Sequence, residues 1–409
     1  MNRLPPISSL PTELLLAIVV AGQEDCVPNA FKAAFKPEWT LSQTSSRFRE
    51  AIIGTRALWT LVEANLADAG SVKVAKIYLE RSRACKVWAN LYRDIDNSKN
   101  FDTGVEDAEH ALIAERFHSF IPHMNRIWRL RIVINTFQIQ WVRKVLFSSL
   151  HTIAAPSLEH LEVINDAVQY YHMHSLYPLR LFSCSTPRLT FAHIVGFIPL
   201  PMPWMAHLTQ LELGRTAAIE CRFFGKIAAQ CSSLVHLYLD LRNDALTEDR
   251  FHIPTLTSLD ITIADGEEDD ILLSAMNAFD APALTEFTIH NADGCQLVPL
   301  FDPSNPRHTS FPALASLCLI KRYPCSCEER EPITSTIPGP PIAVFPALSS
   351  LTLINQCWTA NILDDILGPG SQPASADPHA VSPEARVAGR VQRAPNRSAF
   401  ENPVQADAA

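Results

Sequence analysis

From about residue 121 onward the chain repeats one pattern: an apolar residue, two others, a second apolar residue, one other, and a third. It occurs as Ile127/Leu130/Ile132, Leu158/Leu161/Val163, Leu189/Ala192/Ile194, Leu208/Leu211/Leu213 and Leu234/Leu237/Leu239. It continues as Leu256/Leu259/Ile261, Leu284/Phe287/Ile289, Leu314/Leu317/Leu319 and Leu348/Leu351/Leu353, nine units with 19 to 34 residues between starts. The last two positions of each unit are two apart, so they point the same way from a short strand. Six units carry proline two residues before the first position: Pro156, Pro187, Pro254, Pro282, Pro312 and Pro346. Fixed internal spacing with variable intervals predicts stacked strands in a parallel sheet, with helix or loop on the other side.

Upstream the period changes to that of a helix. Leu14 with Ile18, and Leu15 with Val19, are four apart and stack along one face. Pro11 is expected at the first helical position and Glu13 at the third, with Gly22 as the stop. A connecting segment follows over 23–38, then a second helix from Thr40 to Ile53 ended by Gly54, so that 8–66 reads as helical. Beyond it, 72–82 reads as a helix, Val87 to Tyr92 alternates like a strand, 94–109 is a polar linker, and 111–120 is helical. Residues 321–341 read as an insertion loop. From Gly368 the chain turns to Pro, Ala, Ser, Gly and charge, which predicts a disordered tail over 368–409. The fold class is therefore α/β in four parts: helical 4–66, mixed 67–120, repeats over 121–367, and the tail.

Composition narrows the function classes. Apolar residues make up 47% of the 409 positions and charged ones 19%, enough to bury a core along most of the chain. The formal net charge of −9 argues against a general nucleic-acid or anionic-membrane binder. No apolar run approaches the roughly 18 residues needed to span a bilayer, and Leu14 to Ala21 reads as a helix rather than a leader. The ten cysteines form no dense framework, which predicts reduced thiols and a cytoplasmic or nuclear location.

Candidate chemistry is sparse. His172 and His174 lack a second nearby ligand pair, and Cys325 with Cys327 has no partner pair, so no metal site is expected. Asp265 to Asp270 is acidic without calcium-loop spacing, and Asn396-Arg397-Ser398 is a sequon without a secretory context. No phosphate-binding, dinucleotide or nucleophile-elbow motif is present. Neither a cofactor nor an enzyme is expected.

Residues 4–66 resemble the F-box, most closely the form common in large fungal families. Leu10, Pro11, Glu13, Leu14, Leu15 and Ile18 match its first part; Trp39, Leu41, Ser42, Gln43, Arg47, Arg49, Leu58 and Trp59 match its second. Thr44, Ser45 and Ser46 stand where Val, Cys and Arg are usual, Phe48 replaces Trp, and Arg56 replaces Pro. Thr44 puts a hydroxyl at a normally apolar position, which costs stability unless it bonds a backbone carbonyl. The repeats resemble an irregular leucine-rich-repeat solenoid; the usual asparagine is mostly absent, with Asp166, Thr216 and Arg242 among the residues at its position. The resemblance implies a non-catalytic substrate receptor of an SCF-type (Skp–cullin–F-box) ubiquitin ligase. The Skp adaptor would bind through Leu10, Pro11, Leu14, Leu15, Ile18, Leu41, Leu58 and Trp59, and an unknown protein substrate through the repeats. The alternative is an interaction scaffold whose degenerate box engages no ligase.

Overall fold

In a computed structural model, the described residues are 10–24, 36–93, 106–134, 146–165, 178–184, 186–200, 202–217, 221–242, 250–263, 271–292, 297, 311–321 and 345–355. The expected tail, the histidine pair at 172 and 174, the cysteines at 325 and 327, the acidic run at 265–270 and nearly all of the expected insertion loop lie outside them. The chain divides into two compact units, one ending at Leu58 and the other beginning at Trp59.

The second unit is mixed α/β, built on a sheet of eleven parallel strands arranged in sequence order. They are β1 (Leu61–Asn65), β2 (Val87–Arg93), β3 (Ile127–Ile134), β4 (His160–Asn165), β5 (Phe191–Val195), β6 (Gln210–Ala217), β7 (His236–Arg242), β8 (Ser258–Ile263), β9 (Glu286–His290), β10 (Ser316–Lys321) and β11 (Ser350–Asn355). Each of the nine repeated patterns supplies one strand. Their second and third apolar positions fall in register from strand to strand, so Leu130, Leu161, Ala192, Leu211 and Leu237 form one continuous inward ladder. Ile132, Val163, Ile194, Leu213 and Leu239 form a second, and both ladders are buried.

The sheet begins earlier than the repeated pattern does. Ala89 and Leu91 of β2, then Val62 and Ala64 of β1, add two further rungs. Leu61 to Asn65 is thus a strand and not part of a helical segment. Leu, Glu and Ala are good helix formers, but pairing with β2 and burial of Val62 and Ala64 override that local preference. The expected helices over 72–82 and 111–120 are present as α4 (Ala69–Ser82) and α5 (Glu106–His118).

The shared prolines have a local cause. In all six units the N–H of the first Leu bonds the carbonyl of the residue just before the proline, as in Leu158 to Ala155, Leu256 to Ile253 and Leu314 to Phe311. Proline therefore occupies the second position of a tight turn, which its fixed φ suits. The residue before it, Ala155, Thr186, Ile253, Ala281, Phe311 or Phe345, is buried beneath the turn. A second device follows at once. The hydroxyls of Thr190, Thr209, Thr257, Thr285 and Ser349 each donate to a backbone carbonyl one unit back. This hydroxyl ladder clamps the entry ends of the strands.

Helices lie beyond the sheet strands as α6 (Cys221–Gln230) and α7 (Ile271–Ala278). Two short ladders pair Pro178–Leu179 with Ile198–Pro199 and Phe251–His252 with Phe279–Asp280.

The first unit holds α1 (Thr12–Glu24), α2 (Pro37–Ser42) and α3 (Ser46–Gly54). Three expectations shift here. The Pro11 carbonyl accepts from the N–H groups of Leu14 and Leu15, so Pro11 sits at the cap and Glu13 second in the helix. Gly22 does not stop α1; a Cβ there would lie 3.1 Å from the Pro37 Cβ, so glycine serves close approach to α2. The single helix expected over 40–53 is two. Ser45 is extended, its Oγ accepts the Phe48 N–H at 3.2 Å, and α3 starts anew behind that cap. The Thr44 hydroxyl donates to the Leu41 carbonyl at 2.8 Å, which satisfies it. Gln23 Nε2 donates to Glu38 Oε2 and to the Leu58 carbonyl, both at 3.0 Å.

Candidate functional site

Two surfaces are candidates: one face of α1 and the polar face of the sheet.

The sequence of α1 is apolar almost all round, so periodicity cannot say which ridge faces inward. The structure separates them. Leu15 and Val19 are fully buried, at 1% and 0% exposure, whereas Leu14 and Ile18 are 52% and 40% exposed. Both are i, i+4 pairs, but only one supports the unit's own core. Val20 and Ile53, which the sequence reading did not single out, are also largely exposed. Of the other expected contact residues, Pro11 is exposed, and Leu10 and Leu41 are half-buried. Leu15, Leu58 and Trp59 are buried and line no surface. Trp59 belongs to the second unit, where its ring meets Tyr78 edge-on at 4.9 Å and lies beneath the Arg81 guanidinium.

The polar face of the sheet is organised in registered rows. The row nearest the strand entries runs Trp88, Arg129, His160, Phe191 across β2 to β5. Trp128 is squeezed out where β3 slips against β2, and packs edge-on against His160 at 5.6 Å. His160 also stacks at a tilt on Phe191, 5.4 Å away. The Arg129 guanidinium lies 4.4 Å over the Trp88 ring, a cation–π contact.

The next row runs Asn90, Arg131, Glu162, His193, Glu212, Tyr238 and Asp260. Glu162 is buried and receives Arg129 through Nη2 at 2.7 Å and Nε at 3.2 Å, with Arg131 Nε 3.3 Å from its other oxygen. Two guanidinium groups thus hold one carboxylate, leaving net positive charge. Burial, helped by the charge of Arg129, holds His160 below its ordinary pKa, against the opposing pull of Glu159 and Glu162. His160 is therefore neutral at physiological pH. The third row is apolar: Val133, Ile164 and Val195 cluster, with Tyr92 beside them. Gly214 continues it without a side chain, because a Cβ there would come within 2.9 Å of Val195 Cγ2.

Sequence reading placed specificity in the repeats but ranked none of these residues. The signal was available: once the two inward positions of a strand are known, the residues on either side of them face outward. Among the described residues no three His, Cys, Asp or Glu side chains converge as a metal would need, and no helix is long and apolar enough to cross a membrane. No known family model matches the chain, and no curated protein matches it.

Proposed function

We propose that the chain is a substrate-recognition subunit of an SCF-type ubiquitin ligase. Its first unit binds the Skp adaptor, and its sheet unit receives a protein substrate. The reading rests on the F-box resemblance, and one observation carries it: α1 presents a second apolar ridge, Leu14 and Ile18, to solvent. Helix-in-groove partners read ridges of this i, i+4 kind. A helix serving only as a cap would need Leu15 and Val19 alone. The satisfied hydroxyl of Thr44 and the Ser45 cap support the same reading, because these departures from the F-box pattern make a well-formed α2–α3 turn.

The chain itself would do no bond chemistry, and ubiquitin transfer would belong to other subunits. Co-expression with a Skp adaptor tests the proposal. The intact protein should retain the adaptor, and Leu14→Asp with Ile18→Asp should lose it while its circular dichroism stays unchanged. Equal retention by the double variant would sink the adaptor reading. Failure of the intact protein to retain any adaptor would favour the ligase-independent scaffold, for which the polar face of the sheet is the supporting observation.

A further inference from the structure

The two ends of the sheet are finished differently. At its start, Val62 and Ala64 of the edge strand β1 are fully buried, and α4, which follows β1 in the chain, packs on it. Val72, Ala75, Tyr78 and Leu79, at helical spacing, form the buried side of α4. At its finish, Leu348 and Leu351 of the ninth repeated pattern are only half-buried. The residues at those two positions in the eight preceding patterns are at most 1% exposed. Among the described residues no strand pairs with the far side of β11. β11 also carries no charged side chain and no proline, the usual protections of an open strand edge. A stacked array needs a terminal cap, because its last unit otherwise presents core to water.

The chain that follows β11 has the composition of such a cap. Residues 356–367 lie outside the described ones, and their sequence repeats the kind of pattern that α4 shows at the other end. At helical spacing Trp358, Ile362 and Ile366 fall on one line with Leu363 and Leu367 beside it, while Asn361, Asp364 and Asp365 gather on the opposite side. Thr359 is the one polar residue on the apolar side. Gly368-Pro369-Gly370 then stop the pattern. A helix over 358–367 would be about 15 Å long, against about 20 Å for a strand of the length of β11, so one helix covers most of the open rung. Residues 356 and 357 are enough for a strand-to-helix connection.

We infer that this segment closes the open end of the sheet: 356–367 folds back as an amphipathic helix and sets Trp358, Ile362 and Ile366 on Leu348 and Leu351. The occupant is the chain's own segment and not a second copy, because direct attachment to β11 holds it at an effective concentration on the order of millimolar. The inference goes beyond the receptor reading and does not rest on it.

Photo-crosslinking in the full chain tests it. A benzophenone side chain placed at Ile362 should attach to residues 345–355 of the same chain, read by peptide mass spectrometry. The same group placed at Asp364, on the polar side, should not. Hydrogen exchange gives a second readout. Ile362→Asp with Ile366→Asp should speed amide exchange in β11 by about tenfold or more while β3 to β5 exchange as before. Asp364→Ala should leave β11 unchanged.

Crosslinks from position 362 that join two chains, with a dimer by light scattering, would show that a second copy covers the end and would overturn the inference. So would equal crosslinking from 362 and 364, no crosslink to 345–355, or exchange in β11 that ignores the double substitution. If the double variant does not fold, the crosslinks in the otherwise unaltered chain still decide. Adaptor retention enters neither readout, so this inference and the ligase reading fail separately.

Discussion

Trp59 meets Tyr78 edge-on with ring centroids 4.9 Å apart, and Arg81 lies 4.3 Å over the indole. Tyr78 and Arg81 both belong to α4, which packs on β1, so Trp59 anchors the start of the sheet unit. Trp59→Ala should therefore destabilise that unit by about 3–5 kcal/mol, measured by urea unfolding. Trp59→Phe, which keeps much of the volume, should recover most of the loss. Adaptor retention by Trp59→Phe should match the wild type, because Trp59 offers no exposed surface to a partner.

The two ridges of α1 should behave in opposite ways. Leu15→Ala should lower stability by about 2–5 kcal/mol, the range for a buried leucine. Leu14→Ala should change it by about 0.5 kcal/mol or less, as at other exposed positions. Thermal unfolding monitored by circular dichroism separates the two, and a large loss from Leu14→Ala would show that the helix has been read the wrong way round.

Gly214 predicts a steric penalty. A β-branched side chain there meets Val195 Cγ2 at 2.9 Å, within a row already closed by Val133 and Ile164. Gly214→Val should cost about 1–3 kcal/mol through overpacking. The double variant with Val195→Ala should recover part of that loss, which a double-mutant cycle would read as coupling.

His160 and His123 both have pKa values below the ordinary 6.5, mainly because burial disfavours their charged forms. A depressed histidine contributes stability that is present above its unfolded pKa and is lost as pH falls through its folded pKa. The protein should therefore be less stable at acidic pH than at pH values above 6.5. His160→Asn should flatten that dependence, whatever it does to absolute stability. A melting-temperature series across the acidic range, with and without the substitution, checks the sign.

Thiol reactivity should follow burial. Cys231 is buried and its pKa is pushed up to about 12; burial and the nearby Asp260 push Cys318 up to about 11. Cys184 is exposed. Brief alkylation at mildly alkaline pH, read by peptide mass spectrometry, should modify Cys184 well before Cys231 or Cys318. Denaturant should remove the difference.

Much of the sheet was legible in the chain because its strands obey a local rule. A buried strand must place apolar side chains two apart, and every one of the nine patterns does so. The shared proline was legible as a mark, and its cause, a tight turn closed by the first Leu, could have been read from turn chemistry. The threonine just after that leucine recurs at 190, 209, 257 and 285, yet its role emerges only when one unit stacks on the next. Its donor and acceptor lie at least 19 residues apart.

The candidate surfaces were less legible, for two physical reasons. In α1, Leu14, Leu15, Ile18 and Val19 are all large and apolar, so hydrophobicity cannot rank them; packing within the unit chooses Leu15 and Val19. On the sheet, Arg129 and Arg131 are ordinary exposed-face residues until pairing brings Glu162 between them.

By itself, then, the sequence determined the strand positions, the parity of their faces, the proline turns and the helical character of the first unit, because each follows from spacing within a few residues. Only the tertiary structure decided that Leu61 to Asn65 is a strand, that Trp59 is core and Leu14 surface, and that Glu162 lies between Arg129 and Arg131 on the polar face. Those outcomes depend on which residues from distant segments come into contact, and short-range pattern holds no record of that.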